Sequence, residues 1–453
     1  MENIRDYMVP GKRAHLIGIG GAGMSALATL LVRQGDTVTG ADRALGTPNI
    51  RFLESLGIRV YPDDGSGVDA ATDEVIVSTA IEETNAGLVR AKELGVPVTH
   101  RAKALSRALA SRKLVAVVGT CGKSTVTAML GHVLSECGLD PLCVNGANVP
   151  GWEGAVRFGA GEYAVAEVDE SDRSLVAFKP YAAIVTNASA DHYSKEEMDE
   201  VFDAFVKDCE GPVVDGRGSS RPIPQEGVAS TVGCIVPLEV PTSIPGRHNR
   251  QNAALALRMA VALGCDESQA RAALLSFKGV ERRLQRILPS PPLPPPPSPP
   301  PPLPPSSPSG SPKIAPAVFD DYAHNPEKIR AMWTTLAEAY PAGICVIWRP
   351  HGYAPLRKML DALAAMFSET VRPCDRLLLL PVYDAGGTAD RTISSRDLLA
   401  KARGEAEGRI VLVPDLEGAF DWCAAHRDEY ACFATCGARD PGLPLLAQRL
   451  ADL

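Results

Sequence analysis

The chain has 453 residues, with 46 Lys or Arg against 54 Asp or Glu, which gives a formal net charge of −8. Such a length suggests two to four domains. The mildly acidic balance argues against nucleic acid or an anionic membrane surface as a partner. Apolar residues make up 45% of the chain and charged residues 22%, the proportions of a globular protein with room for more than one buried core.

The cysteine content indicates a reducing compartment. The 11 cysteines are scattered from Cys121 to Cys436 without a CxxC pair, which argues against a disulfide scaffold and favours the cytoplasm. They and the 8 histidines also miss the spacing of zinc ligands. No charged segment followed by an apolar one opens the chain, so we predict neither a signal peptide nor membrane insertion.

Short apolar runs alternate with amphipathic stretches, which is typical of parallel sheets covered by helices. The predicted strands are Ala14–Gly18, Thr37–Gly40, Glu74–Ser78, Leu114–Val118, Tyr163–Glu167, Ala182–Thr186, Ala317–Asp320, Ile344–Trp348, Arg376–Leu380, Ile410–Val413 and Ala431–Ala434. This pattern predicts an α/β protein with domains at 1–107, 108–279 and 280–453. The Gly-, Pro- and Ser-rich stretch 211–241 is predicted to hold loops and one short strand.

A proline-rich segment interrupts the last domain. Between residues 289 and 312, 15 of 24 positions are proline, which predicts an exposed polyproline II arm. The arm is either a docking site for a partner with an aromatic groove or an inserted linker, or else it comes from a frame-shifted reading of GC-rich DNA. Its composition favours the readings without a partner.

A first glycine loop follows the first predicted strand and opens a helix. Its small residues, with Asp42 at the end of the next strand, are Gly18, Gly20, Gly21 and Gly23. Small residues let the backbone approach a pyrophosphate, the helix N-terminus attracts its charge, and Asp42 is placed to bind ribose hydroxyls. Alone, this pattern predicts NAD or FAD binding, with a purely structural turn as the alternative.

A second glycine loop follows the strand Leu114–Val118 and precedes an apolar helix. It consists of Gly119, Thr120, Cys121, Gly122, Lys123, Ser124 and Thr125. Backbone N–H groups in such a loop cradle phosphates, a lysine neutralises them, and a hydroxyl after the lysine binds Mg²⁺. The loop is shorter than the full Walker spacing, but its place between strand and helix predicts ATP binding.

Further polar residues stand where later strands end or helices begin. Glu170 is a candidate Mg²⁺ ligand or part of a solvated acidic loop, and His192 is a candidate ligand for a second metal or an exposed histidine. The pair Arg282–Arg283 either clamps a phosphate or lies at the surface. His248 and Asn249 either bind a ligand or cap a helix.

In this order, the motifs resemble those of the Mur ligases of bacterial peptidoglycan synthesis, and His15–Ala28 is most similar to the alanine-adding members. The segments that carry the resemblance are HLIGIGGAGMSALA, VSTAI, GTCGKST, EVDESD, TNASADH, PGRHNRQNAA, FKGVERRLQ, DDYAHNP and PH-Y at Pro350–Tyr353.

The resemblance implies three α/β domains: a Rossmann-like domain for the UDP substrate, a central P-loop ATPase-type domain, and a Rossmann-like domain for the amino acid. It implies an ATP- and Mg²⁺-dependent ligase that joins an amino acid, L-alanine favoured, to the carboxylate of UDP-N-acetylmuramate through an acyl phosphate. The first glycine loop then binds UDP and not a nicotinamide.

The resemblance also implies roles for single residues. Lys123 would hold the γ-phosphate, and Asn148 would help to seat the acyl phosphate. Ser124 and Glu170 would bind one Mg²⁺, and His192 would support a second. The remaining assignments are Gly18, Gly20, Gly21, Gly23, Asp42, Ser78 and Arg101 for the uridine nucleotide, the loop Gly119–Thr125 with His248, Asn249, Asn252, Arg283 and Asp321 for ATP, and His324, His351 and Tyr353 for the acceptor.

The acceptor segment departs from the family pattern. Pro350–Leu356 reads PHGYAPL, where the alanine-adding members read roughly PHRYSRT, so arginines are absent at Gly352 and Pro355. An α-amino acid needs a cation for its carboxylate. Either Arg349 or Arg357 supplies it, or the acceptor is not L-alanine. The alternatives left open are a paralogous ligase with another acceptor or donor, and a non-catalytic Mur-like binding protein. A nicotinamide oxidoreductase would leave the second glycine loop unexplained.

Overall fold

A computed structural model describes residues 11–169, 174–188, 195–217, 231–232, 239–290, 315–384, 390–402 and 408–453. The predictions for Glu170, for His192 and for the polyproline arm beyond residue 290 therefore lie outside the described residues. The chain divides into two compact units, Met1–Glu281 and Arg282–Leu453.

The first unit opens with a parallel sheet of five described strands. They are β1 (Arg13–Ile17), β2 (Thr37–Asp42), β3 (Arg59–Pro62), β4 (Glu74–Val77) and β5 (Val98–His100). The helices between and after them are α1 (Ala22–Arg33), α2 (Pro48–Ser55), α3 (Ala86–Leu94) and α4 (Arg101–Leu109). The strand order β3-β2-β1-β4-β5 reverses direction at β1, and ligands bind at such a switch point in open α/β sheets.

The same unit contains a second sheet. Its described strands are β6 (Lys113–Val118), β7 (Leu142–Val144), β8 (Val156–Arg157), β9 (Tyr163–Glu167), β10 (Ala182–Val185), β11 (Val213–Asp215) and β12 (Thr231–Val232). Its helices are α5 (Lys123–Glu136), α6 (Lys195–Val206), α7 (Arg247–Ala262) and α8 (Glu267–Ser276), with a 3₁₀ turn at Ser174–Ala177. The order is β12-β11-β10-β6-β9-β7-β8, and the β7–β8 pair is antiparallel.

Strand β6 is buried on both faces, which is why its sequence is a continuous apolar run. Val115 and Val117 pack in one core with α5, α7 and α8. Leu114, Ala116 and Val118 point to the opposite face and belong to a core that also contains residues of α1, α4 and α6. The first two sheets therefore share one apolar core, which explains why residues up to Glu281 form a single compact unit.

The second unit is built on one mixed sheet. Its described strands are β13 (Gln285–Ile287), β14 (Ala317–Asp321), β15 (Ile344–Trp348), β16 (Arg376–Leu379), β17 (Ile410–Leu412) and β18 (Cys432–Cys436). Its helices are α9 (Pro326–Ala339), α10 (Tyr353–Thr370), α11 (Ser395–Lys401), α12 (Leu416–Ala425) and α13 (Gly442–Ala451), with a 3₁₀ turn at Arg427–Glu429. The order is β13-β14-β18-β15-β16-β17, with β13 antiparallel at the edge.

The α/β class with three sheets is confirmed, and every predicted strand matches an observed one to within two residues at either end. The strands that the sequence did not predict individually are short or lie at edges, as β3 and β5 do, where few apolar residues mark them. The domain boundaries at 107/108 and 279/280 stay predictions. In the described part of the chain, no helix combines the length and the apolar character needed to cross a membrane.

A buried arginine links α6 to the end of β11 through ion pairs. The Arg217 side chain is 4% exposed and forms a 2.7 Å ion pair with Asp215, whose side chain is 3% exposed. It also reaches Asp199 and Asp203 on α6. Without Arg217, the buried Asp215 carboxylate would lose its counter-charge.

We expect Arg217→Met to lower the free energy of unfolding by about 3 kcal/mol, since it leaves a buried charge unpaired. Urea unfolding followed by circular dichroism measures this. The matched control is Arg271→Met, which removes an exposed pair with Glu267 on α8 and should cost less than about 0.5 kcal/mol. Equal losses in the two variants would contradict the role given to Arg217.

Candidate active site

The second glycine loop lies between β6 and α5 and is shaped by two glycines. Gly119 (φ +127°) and Gly122 (φ +85°) are in the left-handed region, where glycine has no steric penalty. A Cβ on Gly119 would lie 2.2 Å from Thr186 Oγ1. Gly122 also forms the N-cap of α5, so the first turn of this helix, whose backbone N–H groups have no partners within the helix, adjoins the loop. The loop is therefore a cradle for an anion.

Residues that follow β10 hold this loop in place. The Asn187 Oδ1 atom accepts from Thr120 Oγ1 at 2.6 Å and from the Cys121 N–H at 3.0 Å. Asn187 Nδ2 donates to the Cys121 carbonyl at 2.9 Å, and Thr186 Oγ1 donates to the same carbonyl at 2.6 Å. In the sequence, Thr186 and Asn187 stood out only as part of a motif, and their hydrogen bonds to the glycine loop were not predicted. Their place directly after a buried parallel strand was the available signal.

Lys123 and Ser124 open α5 beside the cradle. Lys123 Nζ donates to the Gly119 carbonyl at 2.7 Å, so the ammonium group lies across the loop. Ser124 is 3% exposed in the first turn of the helix. A cation and a hydroxyl thus flank the loop N–H groups, as phosphate binding requires.

The strand on the other side of β6 supplies acidic residues. Val117 of β6 pairs with Glu167 of β9, and Asp169 follows at the same edge of the sheet. Glu167 Oε2 accepts from the Gly146 N–H at 2.8 Å. No group of three His, Cys, Asp or Glu among the described residues is placed to hold a metal. The metal ligands stay predictions, because Glu170, which would share one Mg²⁺ with Ser124, and His192, which would support a second, lie outside those residues.

The start of α7 contacts the glycine loop. Asn252 is 8% exposed, and its Oδ1 would lie 2.7 Å from a Cβ on Gly122. Asn249 lies one turn earlier, and its Nδ2 donates to the Pro245 carbonyl at 2.6 Å. Burial, with Arg250 nearby, lowers the pKa of His248. The structure therefore brings Asn252 to the loop, with His248 and Asn249 on the preceding turn.

Asn148, predicted to help seat the acyl phosphate, forms hydrogen bonds with Glu281. Its Nδ2 donates to Glu281 Oε2 at 3.0 Å, and the Glu281 N–H donates to its carbonyl at 2.9 Å. Asn148 would have to leave this partner to seat an acyl phosphate. Glu281 was not among the predicted site residues.

Two of the residues predicted to bind the uridine nucleotide, Asp42 and Arg101, lie against the first glycine loop. The Gly20 N–H donates to Asp42 Oδ2 at 2.9 Å, and a Cβ on Gly23 would lie 2.6 Å from Arg101 Nη1. Ser78 follows β4, the strand paired with β1. The loop thus has a carboxylate on one side and a guanidinium on the other. Asp42 also accepts from the Ala44 N–H, so its carboxylate shapes the backbone here.

In the second unit, the histidines predicted for the acceptor lie together. The rings of His324 and His351 are 4.9 Å apart in an edge-to-face arrangement. Burial lowers the pKa of His351 to about 4, helped by His324 and by the cations Arg439 and Lys328. His351 is therefore neutral at neutral pH. Tyr353 opens α10, with the Arg391 guanidinium 5.9 Å from its ring centroid.

Arg283 and Asp321 lie beside a turn with unusual backbone angles. Arg282 (φ +58°) and Leu284 (φ +49°), on either side of Arg283, are in the left-handed region, which is costly for such residues and often marks a functional site. Asp321 accepts from the Leu284 N–H at 2.6 Å and the Ala323 N–H at 2.7 Å. Burial raises the pKa of Asp321 to about 6, although the positive charge of Arg283 acts to lower this pKa.

The arginines expected to replace the missing pair both have partners. Arg349 forms a 2.6 Å ion pair with Asp440, which is 6% exposed, and donates to the Pro381 carbonyl. Arg357 pairs with Asp390 at 2.9 Å and donates to Thr392. Either guanidinium would have to break these contacts to receive a carboxylate.

Comparison with known proteins gives the same family in sequence and in structure. Residues 13–113 match the model of the Mur ligase family, catalytic domain, and residues 311–439 match the Mur ligase, glutamate ligase domain. UDP-N-acetylmuramate–L-alanine ligase of Halorhodospira halophila is 33% identical over 448 residues, 90% of this chain and 86% of that protein. The enzyme of the same name from an Arthrobacter species is 32% identical over 441 residues, with 89% and 88% covered.

Two crystal structures show the same fold. UDP-N-acetylmuramate–alanine ligase of Thermotoga maritima has a TM-score of 0.75 at 24% identity, covering 97% of this chain and 98% of that chain. A murein peptide ligase of Psychrobacter arcticus has a TM-score of 0.66 at 20% identity, covering 98% and 99%.

Together with these sequence relatives, the fold is that of an ATP-dependent ligase that forms amide bonds. The chain belongs to the Mur ligase family, which acts in peptidoglycan synthesis.

We expect Asn187→Ala to loosen the glycine loop, because the three hydrogen bonds of its side chain are lost. Amide exchange in a peptide covering residues 119–125, measured by mass spectrometry, should become about 10-fold faster or more, which corresponds to one net hydrogen bond or more. Thr186→Ser, which keeps the hydroxyl that donates to Cys121, is the control and should exchange as the unmodified protein does. Unchanged protection in Asn187→Ala would contradict this account of the loop.

Proposed function

We propose that this protein joins L-alanine to the carboxylate of UDP-N-acetylmuramate at the expense of ATP, in the cytoplasm. The observation that carries the proposal is the 33% identity, over 90% of the chain, to a relative named UDP-N-acetylmuramate–L-alanine ligase. The cradle of Gly119–Thr125 supports the use of ATP, since glycine backbone and Lys123 Nζ meet there.

The described residues fit the triphosphate of a nucleotide. Cβ atoms at Gly119 and Gly122 would clash with Thr186 and Asn252, so the shape of the loop depends on glycine at both positions. Backbone N–H groups of a loop with this shape bind phosphate oxygens. The Ser124 hydroxyl would help to hold one Mg²⁺ together with Glu170, and His192 would support a second. A bound Mg²⁺ supplies positive charge that lets two anions approach each other.

The chemistry needs an activated carboxylate, because a free carboxylate is a poor electrophile. A muramyl carboxylate oxygen attacks the γ-phosphorus, the bond to ADP breaks, and an acyl phosphate forms. Lys123 Nζ would break its hydrogen bond to the Gly119 carbonyl and contact the transferred phosphoryl group, whose negative charge it would neutralise. The amine of alanine then attacks the carbonyl carbon and loses a proton, and phosphate leaves. Positioning by the protein supplies most of the catalysis.

For the UDP moiety, we propose the first glycine loop, with its N–H groups and the N-terminus of α1 facing the pyrophosphate. Arg101, which lies against Gly23, would add a positive charge. Asp42 and Ser78 would contact the nucleoside. Asn148, Arg283 and Asp321 keep the roles that the resemblance implies, as do His248, Asn249 and Asn252 on the adenosine side.

A different amino acid is the second candidate acceptor. Gly352 and Pro355 stand where the alanine-adding members have arginines, and Arg349 and Arg357 already bind carboxylates of this chain. An acceptor whose carboxylate is held differently would satisfy this arrangement. The two candidates differ only in the acceptor, so one screen separates them.

We expect phosphate release from ATP to require both UDP-N-acetylmuramate and L-alanine, and to fall at least about 100-fold in Lys123→Ala, because a group that stabilises the developing charge is removed. The measurement is a coupled phosphate assay with each of the twenty amino acids.

The matched control is Lys113→Ala. Lys113 lies at the opposite end of the same strand and pairs with Glu162 at the surface, so its loss should leave the rate unchanged. Release stimulated by another amino acid and not by alanine would favour the second candidate. No stimulation by any amino acid would overturn the proposal.

A further inference from the structure

Three loops meet at the carboxyl edge of the second unit's sheet. In register, Asp321 of β14, Cys436 of β18 and Trp348 of β15 are neighbours, so the loops after these strands leave the sheet side by side. The Gly437 N–H donates to the Asp321 carbonyl at 3.1 Å, and the Arg349 N–H donates to the Cys436 carbonyl at 3.2 Å. These bonds continue the sheet into its loops and fix their spacing.

The loop after β18 is held on both sides of Arg439. Arg282 donates to the carbonyls of Gly437 at 2.6 Å and Ala438 at 3.4 Å. On the other side, Asp440 pairs with Arg349 at 2.6 Å and accepts from the Gly442 N–H at 2.8 Å. The backbone that carries Arg439 is therefore fixed before any ligand binds, which favours affinity.

Arg439 itself is exposed, and within the described ranges no hydrogen bond or ion pair involves its side chain. Four other arginines of the second unit already have carboxylate partners. These pairs are Arg282–Asp320, Arg349–Asp440, Arg357–Asp390 and Arg391–Asp384. Arg439 thus offers a guanidinium that can receive an external carboxylate without breaking an internal pair among the described residues.

The surroundings of Arg439 favour an anion. Trp348 pairs with Cys436, so His351 and Arg439 each lie three residues beyond this pair, on adjacent loops. The positive charges of Arg439 and Lys328 contribute to the lowered pKa of His351. The His324 ring lies 4.9 Å from the ring of His351. A guanidinium binds a carboxylate through two parallel N–H groups. A neutral imidazole beside it can donate a further hydrogen bond to the same carboxylate.

We propose that Arg439 binds the α-carboxylate of the amino-acid acceptor, with His351 next to it, and so replaces the arginines absent at Gly352 and Pro355. The inference rests on the proposed function and names the acceptor-binding cation of that site. It also reconciles alanine as the acceptor with a segment that has lost its two arginines.

The test is steady-state kinetics on the full chain with ATP, UDP-N-acetylmuramate and L-alanine. Arg439→Gln should raise the KM for L-alanine about 10- to 100-fold, the loss expected for a charge-assisted, bidentate contact. The kcat and the KM values for ATP and UDP-N-acetylmuramate should not change, because the contact is present equally in the ground and transition states. Arg439→Lys should recover part of the loss. Arg449→Gln, an exposed arginine of α13 paired with Glu417, should behave as the unmodified protein.

L-alaninamide, which lacks the carboxylate, separates binding from a structural effect. Arg439→Gln should leave its KM unchanged, so that the preference for alanine over the amide disappears. Three results would overturn the inference: an unchanged KM for alanine, an equal rise in the KM for the amide, or a rise in the KM for ATP or UDP-N-acetylmuramate in place of that for alanine. Turnover by the unmodified protein would still sustain the proposed function in each case. Absence of turnover in the unmodified protein with every amino acid would overturn both.

Discussion

The hydrogen bonds between Asn187 and the loop after β6 are the contact on which the proposed nucleotide site depends. That loop is made of small residues and has few side chains of its own to pack, so its shape comes from the neighbouring strand. Val118 of β6 pairs with Val185 of β10, and this register sets Thr186 and Asn187 against Cys121. A shift of one residue would turn these side chains to the other face of the sheet and leave the loop unsupported.

The sequence was sufficient to predict the sheets and the edges at which the two glycine loops lie. Strands such as β6 and β15 are buried on both faces, and the resulting apolar runs are clear against their polar flanks. The glycine loops were found for the same reason, since each directly follows such a strand and precedes a helix. Chain order alone placed Asp42 and Lys123 at these edges, and the structure puts Asp42 on the first loop and Lys123 across the second.

Partners that are far apart in the chain could not be predicted. Arg349 looked available from its position beside the acceptor segment, but its partner Asp440 is 91 residues away. Asn148 bonds Glu281 across 133 residues. Which guanidinium or amide remains available depends on contacts between loops of different strands, and no local pattern encodes them. The same limit explains why Arg439 emerged only from the folded arrangement.

The core shared by the first two sheets decides where this chain can be divided. A fragment that starts after residue 107 would keep the face of β6 that carries Leu114, Ala116 and Val118 but lose the α1 residues and most of the α4 residues from the same core. Such a fragment would present a broad apolar surface to water and tend to aggregate. The apolar clusters of the last sheet, in contrast, are assembled from Leu284 onward. Residue 281 is therefore the rational cut point for producing separate pieces for crystallisation or isotope labelling.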